Sequence, residues 1–262
     1  MLLTGKIVLI SGIGPGLGLK LAVEAARAGA RGVVLAARSA SKLDEAEQRV
    51  HEAAPSCEVV KQSTDIRDPN QCAQLAELAI SRLGRIDGLV NSAFEHGPLE
   101  PAMSSDLSAW QSVYETNVIG SMQMTRAVVP AMKAQGGGAI VMINTMATLN
   151  PFIGEAAYAA SKGALYTTAK YLAIELGPQN IRVNTARMGW MWGAPVQDHV
   201  RQMALARGIE AQQIVDRIAA KIPLRRIVTD DECARAALFL ISDFASAVTG
   251  AVVDVNGGEA MP

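Results

Sequence analysis

The chain has 262 residues, half of them apolar, and its 24 Lys and Arg nearly balance 25 Asp and Glu. That much apolar side chain can offset chain entropy by burial, which excludes a disordered protein. A formal net charge of −1 and a pI near 6.3 argue against a nucleic-acid binder working through a basic surface.

The three cysteines, Cys57, Cys72 and Cys233, lie too far apart for a disulfide framework or a metal-ligand set, so no metal is expected. The first apolar stretch is interrupted by Lys6 and reaches glycine at residue 12, too early for a signal peptide. No stretch reaches the roughly 18 apolar residues of a membrane span. A soluble, cytoplasmic protein with no membrane or nucleic-acid partner is expected.

Short β-rich runs alternate with helical spacings. Ile7 to Ile10 precede a glycine turn and a helix that stops at Gly29. Val33 to Ala37 form a second strand, Lys42 to Glu52 a second helix and Glu58 to Gln62 a third strand. Asp68-Pro69 opens a helix to Leu83, because proline suits a first helical turn. The IDGLVNS strand follows, then a long helix from about Ser108 to Lys133, broken by Gly136, Gly137 and Gly138 before AIVMIN. A helix from about Ala156 to Leu176 precedes IRVNTA. Thr229 to Glu232 reads as a capping box opening the last helix, and AVVDV closes the chain. The mostly continuous apolar strands predict a parallel sheet of roughly seven strands covered on both faces, in one doubly wound α/β domain spanning 1–262. The segment at about 187–222 is too long for a simple connection and is expected to be functional or an extra helical pair.

Ser11 to Gly18, SGIGPGLG, joins the first strand to the first helix. Gly12, Gly16 and Gly18 let backbone approach a pyrophosphate, and the helix N-terminus offers free N–H groups and a positive dipole end. The alternative is a turn that only packs helix on strand. Pro15 has no N–H, so phosphate contacts are expected from Ser11, Leu17 and the helix start. The second strand ends at Arg38 with no acid for a ribose 2′-hydroxyl, which favours NADP(H) over NAD(H), the latter remaining possible. Asp65 can accept from the adenine amino group.

Tyr158 and Lys162 stand one helical turn apart on one face. A nearby cation lowers a phenol pKa and makes Tyr158 a general acid/base. Thr145, thirteen residues earlier, ends a strand at the carboxyl edge of the sheet, where ligand crevices form. Asn117 adds a polar group in the long helix.

On Ser11-Gly12-x-x-x-Gly16-x-Gly18, Asp65, Asn91-Ser92-Ala93, Asn117, Thr145, Tyr158-x-x-x-Lys162 and Val253-Asp254-Val255-Asn256-Gly257-Gly258, the sequence resembles the short-chain dehydrogenase/reductase family, in its branch of roughly 250 residues, along essentially the whole chain. The resemblance implies a Rossmann-type fold and an NAD(P)-dependent oxidoreductase interconverting a secondary alcohol and a ketone. It makes Tyr158 the proton-transfer group, has Lys162 hydrogen-bond the nicotinamide ribose and hold down the Tyr158 pKa, and counts both among the cofactor contacts. The backbone at Asn117 would hold a water, and Thr145 would orient the substrate oxygen. Ile66, Asn91, Ala93 and Gly189 join the cofactor contacts, and residues 187–222 become a substrate lid. A homodimer or homotetramer is expected by the same analogy.

Phe94 and Met188 stand where the family usually has Gly and Pro. With His96, Phe152, Trp190 and Trp192 they predict a pocket for an apolar, cyclic substrate with few cations nearby, although a lone loop histidine such as His96 is often a surface residue. Two other functions compete. A non-catalytic dinucleotide-binding sensor or assembly subunit would be marked by a missing Tyr or Lys. An epimerase or dehydratase of the longer related branch fits the chain length poorly.

Overall fold

The alternation of side chains along the first strand sets the layers. Val8 and Ile10 of β1 (Ile7–Ser11) join one apolar cluster and Ile7 and Leu9 the other, and all four are fully buried. A strand apolar on both faces must be covered on both. The computed structural model describes residues 1–261 and supplies that cover.

In chain order β1 is followed by α1 (Leu17–Arg27), β2 (Gly32–Ala37), α2 (Ala40–Ala53), β3 (Glu58–Ser63), α3 (Pro69–Leu83) and β4 (Gly88–Asn91). Next come α4 (Leu107–Tyr114), α5 (Ser121–Ala134), β5 (Gly138–Thr145), α6 (Ala156–Leu176) and β6 (Ile181–Met188). The chain ends with β7 (Met191–Trp192), α7 (Ala194–Arg207), α8 (Ala211–Ala219), β8 (Val228–Thr229), α9 (Asp230–Ile241) and β9 (Val252–Val255). Seven strands pair in parallel in the order β3-β2-β1-β4-β5-β6-β9. Residues of α1, α2 and α9 pack in one apolar cluster, and those of α3, α5 and α6 in the other. The order reverses between β1 and β4, which opens a crevice beyond their carboxyl ends.

One feature was not anticipated. The helix expected to run unbroken from Ser108 to Lys133 is interrupted by a π-helical segment, Glu115–Gly120, which contains Asn117. Such one-turn bulges reorient a helix locally. Gly120 meets Ile66 so closely that a Cβ would lie 2.7 Å from its side chain, so the bulge packs directly against the residue after Asp65. Beyond β6, the segment expected to be functional or an extra helical pair does form such a pair, α7 and α8, with the short parallel pair of β7 and β8 beside it. This pair has its own apolar cluster, Val200, Ala204, Ile214, Ile218, Ile222 and Ile227.

The last helix starts as its sequence requires. Thr229 Oγ1 accepts from Glu232 N at 3.2 Å, and the Glu232 carboxylate accepts from Thr229 N at 2.9 Å. Arg226 grips the same carboxylate and, with Thr229, holds its pKa down at about 2. Thr229→Ala is expected to remove about 1 kcal/mol of stability, read as a lower urea midpoint with unchanged m-value.

Candidate active site

The carboxyl ends of β1, β4, β5 and β6 border a single large cleft of about 1760 Å³. At one end lies the turn after β1. Gly12 has φ +87°, and a Cβ on it would collide with the Ala93 backbone. A Cβ on Gly18 would collide with the Gly12 carbonyl. The turn therefore packs closely at Gly12 and Gly18, with no room for a side chain at either. The N-cap of α1, Gly16, makes no side-chain cap bond, so the N-terminus of α1 opens into the cleft beside Gly16, Leu17 and Gly18. A glycine cradle under an uncapped helix start fits a dinucleotide pyrophosphate.

The other wall is built where α6 crosses the end of β5. Lys162 is 1% exposed, and its Nζ donates to the Ile143 carbonyl at 2.9 Å. Asn144 returns the contact, its Nδ2 donating to the Lys162 carbonyl at 2.8 Å while its Oδ1 accepts from Thr145 N. Burial pushes the Lys162 amine down to about 7. One turn earlier, burial and then the Glu155 carboxylate push the Tyr158 phenol above its usual value, while the neighbouring Thr145 hydroxyl pulls it back. Lys162 Nζ lies 5.9 Å from the Tyr158 ring centroid. Burial, the largest influence on the phenol, thus acts against the lowering expected from Lys162. A fully desolvated amine sheds its own proton more readily, and the charge it can lend its neighbour falls with it.

A family model described as "Enoyl-(Acyl carrier protein) reductase" matches residues 12–259. The 7α-hydroxysteroid dehydrogenase of Escherichia coli (strain K12) is 34% identical over 98% of this chain and 94% of its own length. The L-sorbose reductase of Gluconobacter frateurii, solved with NADPH and L-sorbose, superposes with a TM-score of 0.92 at 30% identity, covering 99% of this chain and 98% of that one. A 7α-hydroxysteroid dehydrogenase solved with NADH and 7-oxo glycochenodeoxycholic acid gives 0.85 at 33% identity, covering 98% and 94%. The chain belongs to the short-chain dehydrogenase/reductase family. As a short-chain dehydrogenase/reductase it is an NAD(P)-dependent oxidoreductase of alcohol and carbonyl groups.

Most of the residues singled out from the sequence line this one cleft: Gly12, Gly16, Leu17, Gly18, Arg38, Asp65, Ile66, Ala93, Phe94, His96, Thr145, Tyr158, Lys162, Met188, Gly189 and Trp190. Four do not. Ser11 is fully buried in β1 with its hydroxyl unpartnered, and Asn91, its register partner in β4, turns its amide to Thr125 and Met142. Alternation along a strand sends both side chains into the layer rather than to its end. Trp192 follows Met191 in β7, and alternation again separates them: Met191 lines the cleft, and Trp192 packs on the cluster between α7 and α8. Asn117 is fully buried and clamps the loop after β4, accepting from Glu95 N at 2.7 Å and donating to the Glu95 carbonyl and to Ser161 Oγ, each at 2.9 Å. It shapes the wall of the cleft without reaching its surface.

Asp65 faces the cleft but is already engaged, since both its carboxylate oxygens accept from Arg67. That guanidinium holds the Asp65 carboxyl below its usual range. His96, expected as either a pocket contact or a surface residue, is half-buried in the cleft and stacks on Tyr158 with ring centroids 4.7 Å apart. Sequence reasoning missed Asn144, Glu155, Lys42 and Pro195. Only Asn144 carried a local signal, as a polar residue in a buried strand next to Thr145. Pro195, at the start of α7, lies over Gly16 at 3.4 Å from a Cβ built there, so the helical pair reaches across to the glycine turn.

Between about pH 7 and 10.5 the unfolded chain binds a proton at Lys162 that the native chain has given up, so this residue makes stability rise with pH. Urea midpoints of Lys162→Met are expected to exceed those of the parent most at about pH 7 and to converge towards pH 10.5.

Proposed function

We propose that the protein interconverts a secondary alcohol and a ketone on a bulky apolar, ring-containing molecule, with Tyr158 as the general acid/base. The observation that carries this reading is the convergence of Tyr158, Thr145 and Lys162 on the cleft that also holds the glycine cradle. A bound nicotinamide supplies or accepts the hydride. In reduction, Tyr158 gives its proton to the substrate oxygen, and Thr145 helps orient that oxygen and stabilise developing charge on it. The raised phenol keeps its proton across the neutral range, the state that this donation needs. Lys162, next to the ring and tied to the end of β5, fixes the phenol in place and presents a titratable amine beside it.

The substrate end is apolar and wide. Phe94, Leu99, Phe152 and Ile153 all line it, and all are more than 40% exposed, an unusual concentration of large apolar groups at one mouth. Val196, His199, Met203 and Arg207 follow one another at helical spacing along the cleft face of α7. Contrary to the expectation of few cations, Arg207, Arg217 and Lys221 border the cleft on the α7–α8 side, and none of them has an ion pair among the described residues. An apolar ring system carrying an acidic tail suits that gradient, and the acid bound by the 7α-hydroxysteroid dehydrogenase relative is of this kind. The segment 187–222 then acts as the lid over this end. Self-association into a dimer or tetramer is part of the proposal, supported by the exposed Tyr171 and Ile174 on α6.

At the adenosine end, Arg38 and Lys42 line the cleft without ion pairs among the described residues, while Arg67 is committed to Asp65. No acid follows β2. We assign the preference to NADP(H) on that basis.

Two outcomes test this reading. Tyr158→Phe is expected to fold, to bind reduced cofactor with unchanged fluorescence titration, and to lose turnover of fused-ring ketones by about 10³-fold; turnover near the parent level would overturn the mechanism. Arg38→Gln is expected to raise KM for NADPH by about tenfold or more, the scale of one lost charge-assisted contact, and to leave KM for NADH within about twofold. Equal effects on both cofactors would overturn the NADP(H) assignment.

A further inference from the structure

The loop after β4 carries His96 onto the face of the phenol ring. The two rings are nearly parallel, at 21°, with centroids 4.7 Å apart. His96 Nε2 lies 3.8 Å from Glu155 Oε1. Glu155 immediately precedes α6, three residues before Tyr158, so the carboxylate and the imidazole bear on the same side chain. The loop position is fixed from below by the Asn117 clamp on Glu95, one residue before His96.

The charges around the imidazole can be named. Glu95 is turned away, its two oxygens accepting from Ser112 and Thr116. Arg67 is held by Asp65. That leaves Glu155, the Tyr158 phenol, and Lys162 near the same ring.

We propose that His96 and Glu155 are a charge-compensating positioning pair for Tyr158. An imidazolium cancels the carboxylate at the phenol, and when His96 gives its proton to solvent the phenol faces the carboxylate alone. The inference rests on Tyr158 being the proton-transfer group. Its physical basis is that one carboxylate opposes ionisation of the phenol and favours protonation of the imidazole, and both directions are present. The pair thus couples two titrations at the reacting oxygen: the phenol ionises most readily while His96 is charged.

Charge, rather than ring stacking, is what the experiment separates. His96→Lys keeps a cation at all working pH values, whereas His96→Phe keeps a ring without charge. In the pH profile of kcat/KM for alcohol oxidation, the limb rising with pH is expected at lower pH in His96→Lys than in His96→Phe, by about half a unit or more, the scale of one charge several ångströms away in a partly solvated cleft. Glu155→Gln is expected to move the limb below that of the parent. Both side chains are partly exposed, so neither change empties the core.

A second reading needs no turnover. The chain has three histidines, His51, His96 and His199, so proton NMR of the imidazole C2–H signals, assigned by His96→Phe, follows His96 directly. Glu155→Gln is expected to lower its titration midpoint by about half a unit or more. Coincident limbs in His96→Lys and His96→Phe, or an unmoved His96 midpoint in Glu155→Gln, would overturn the pair. Retained turnover in Tyr158→Phe would overturn the role of the tyrosine instead, with the NMR titration still deciding whether the two charges are coupled.

Discussion

A buried amine at the end of β5 sets the geometry of this site. Among the described residues Lys162 forms no ion pair with a carboxylate; it donates to one backbone carbonyl, that of Ile143, while Asn144 binds its own carbonyl in return. The two bonds cross the same junction in opposite directions, so α6 cannot slide or rotate on β5 without breaking both. Tyr158 stands one turn up the same helix and inherits that fixed position. The cost is electrostatic: the amine loses hydration and is pushed down to about 7, while the phenol, partly desolvated and near Glu155, is pushed up. Two titratable groups of ordinary pKa near 10 are thereby driven apart, and such pairs are where acid and base roles can be divided. An exposed tyrosine and lysine at the same helical spacing would titrate almost normally and offer no such division.

The second constraint is the loop after β4. It starts at the reversal of strand order, where β1 ends level with β4 while β5 runs on to Thr145, and it must still present a firm wall. Asn117 provides that firmness because the π-helical segment turns its side chain inward to the Glu95 backbone. Its other contact, Ser161, hydrogen-bonds the Tyr158 carbonyl at 2.7 Å. The helix bearing the tyrosine and the loop bearing His96 are therefore joined through one buried amide. Positions that sit outside the cleft, such as Asn117 and Ser161, set the geometry of those inside it.

The sequence made the layers readable because strand and helix periods are local properties. The continuous apolar runs, Pro69 after Asp68, and the Thr229–Glu232 box each state their element within a few residues, and the structure follows them closely. The placement of Tyr158, Lys162 and Thr145 at one crevice was readable for a related reason: all three lie at known offsets from a strand end or along one helix. What failed depends on tertiary direction. Trp192 and Ser11 were assigned to the cleft by proximity in sequence, yet strand alternation points them elsewhere. Asn117 lies in a bulge that no 3.6-residue period reveals. The upward push of burial on the Tyr158 phenol was missed because attraction between charges can be read from spacing, whereas desolvation can be read only from burial. The cations Arg207, Arg217 and Lys221 are scattered through a helical pair whose inward face is visible only once it is folded over the cleft.

That helical pair differs in kind from the rest of the molecule. Its apolar cluster is small and separate from the two large clusters flanking the sheet. It is tied to the body by the short β7–β8 pairing, by Pro195 over Gly16, by the close packing of Gly193 against Asp230 and by the C-terminal segment, where Gly257 meets Ile222 and its carbonyl accepts from Leu224 N. Elements with a small core of their own lie towards the low-stability end of a fold. Its inner face nevertheless contributes to the same cleft as the glycine turn and Tyr158. The main body of the fold therefore holds Tyr158, Lys162 and Thr145, and the helical pair lines the far side of the same cleft. Specificity can change through α7 and α8 without disturbing the junction of α6 and β5, because few of the contacts that hold Lys162 and Tyr158 in place come from that pair.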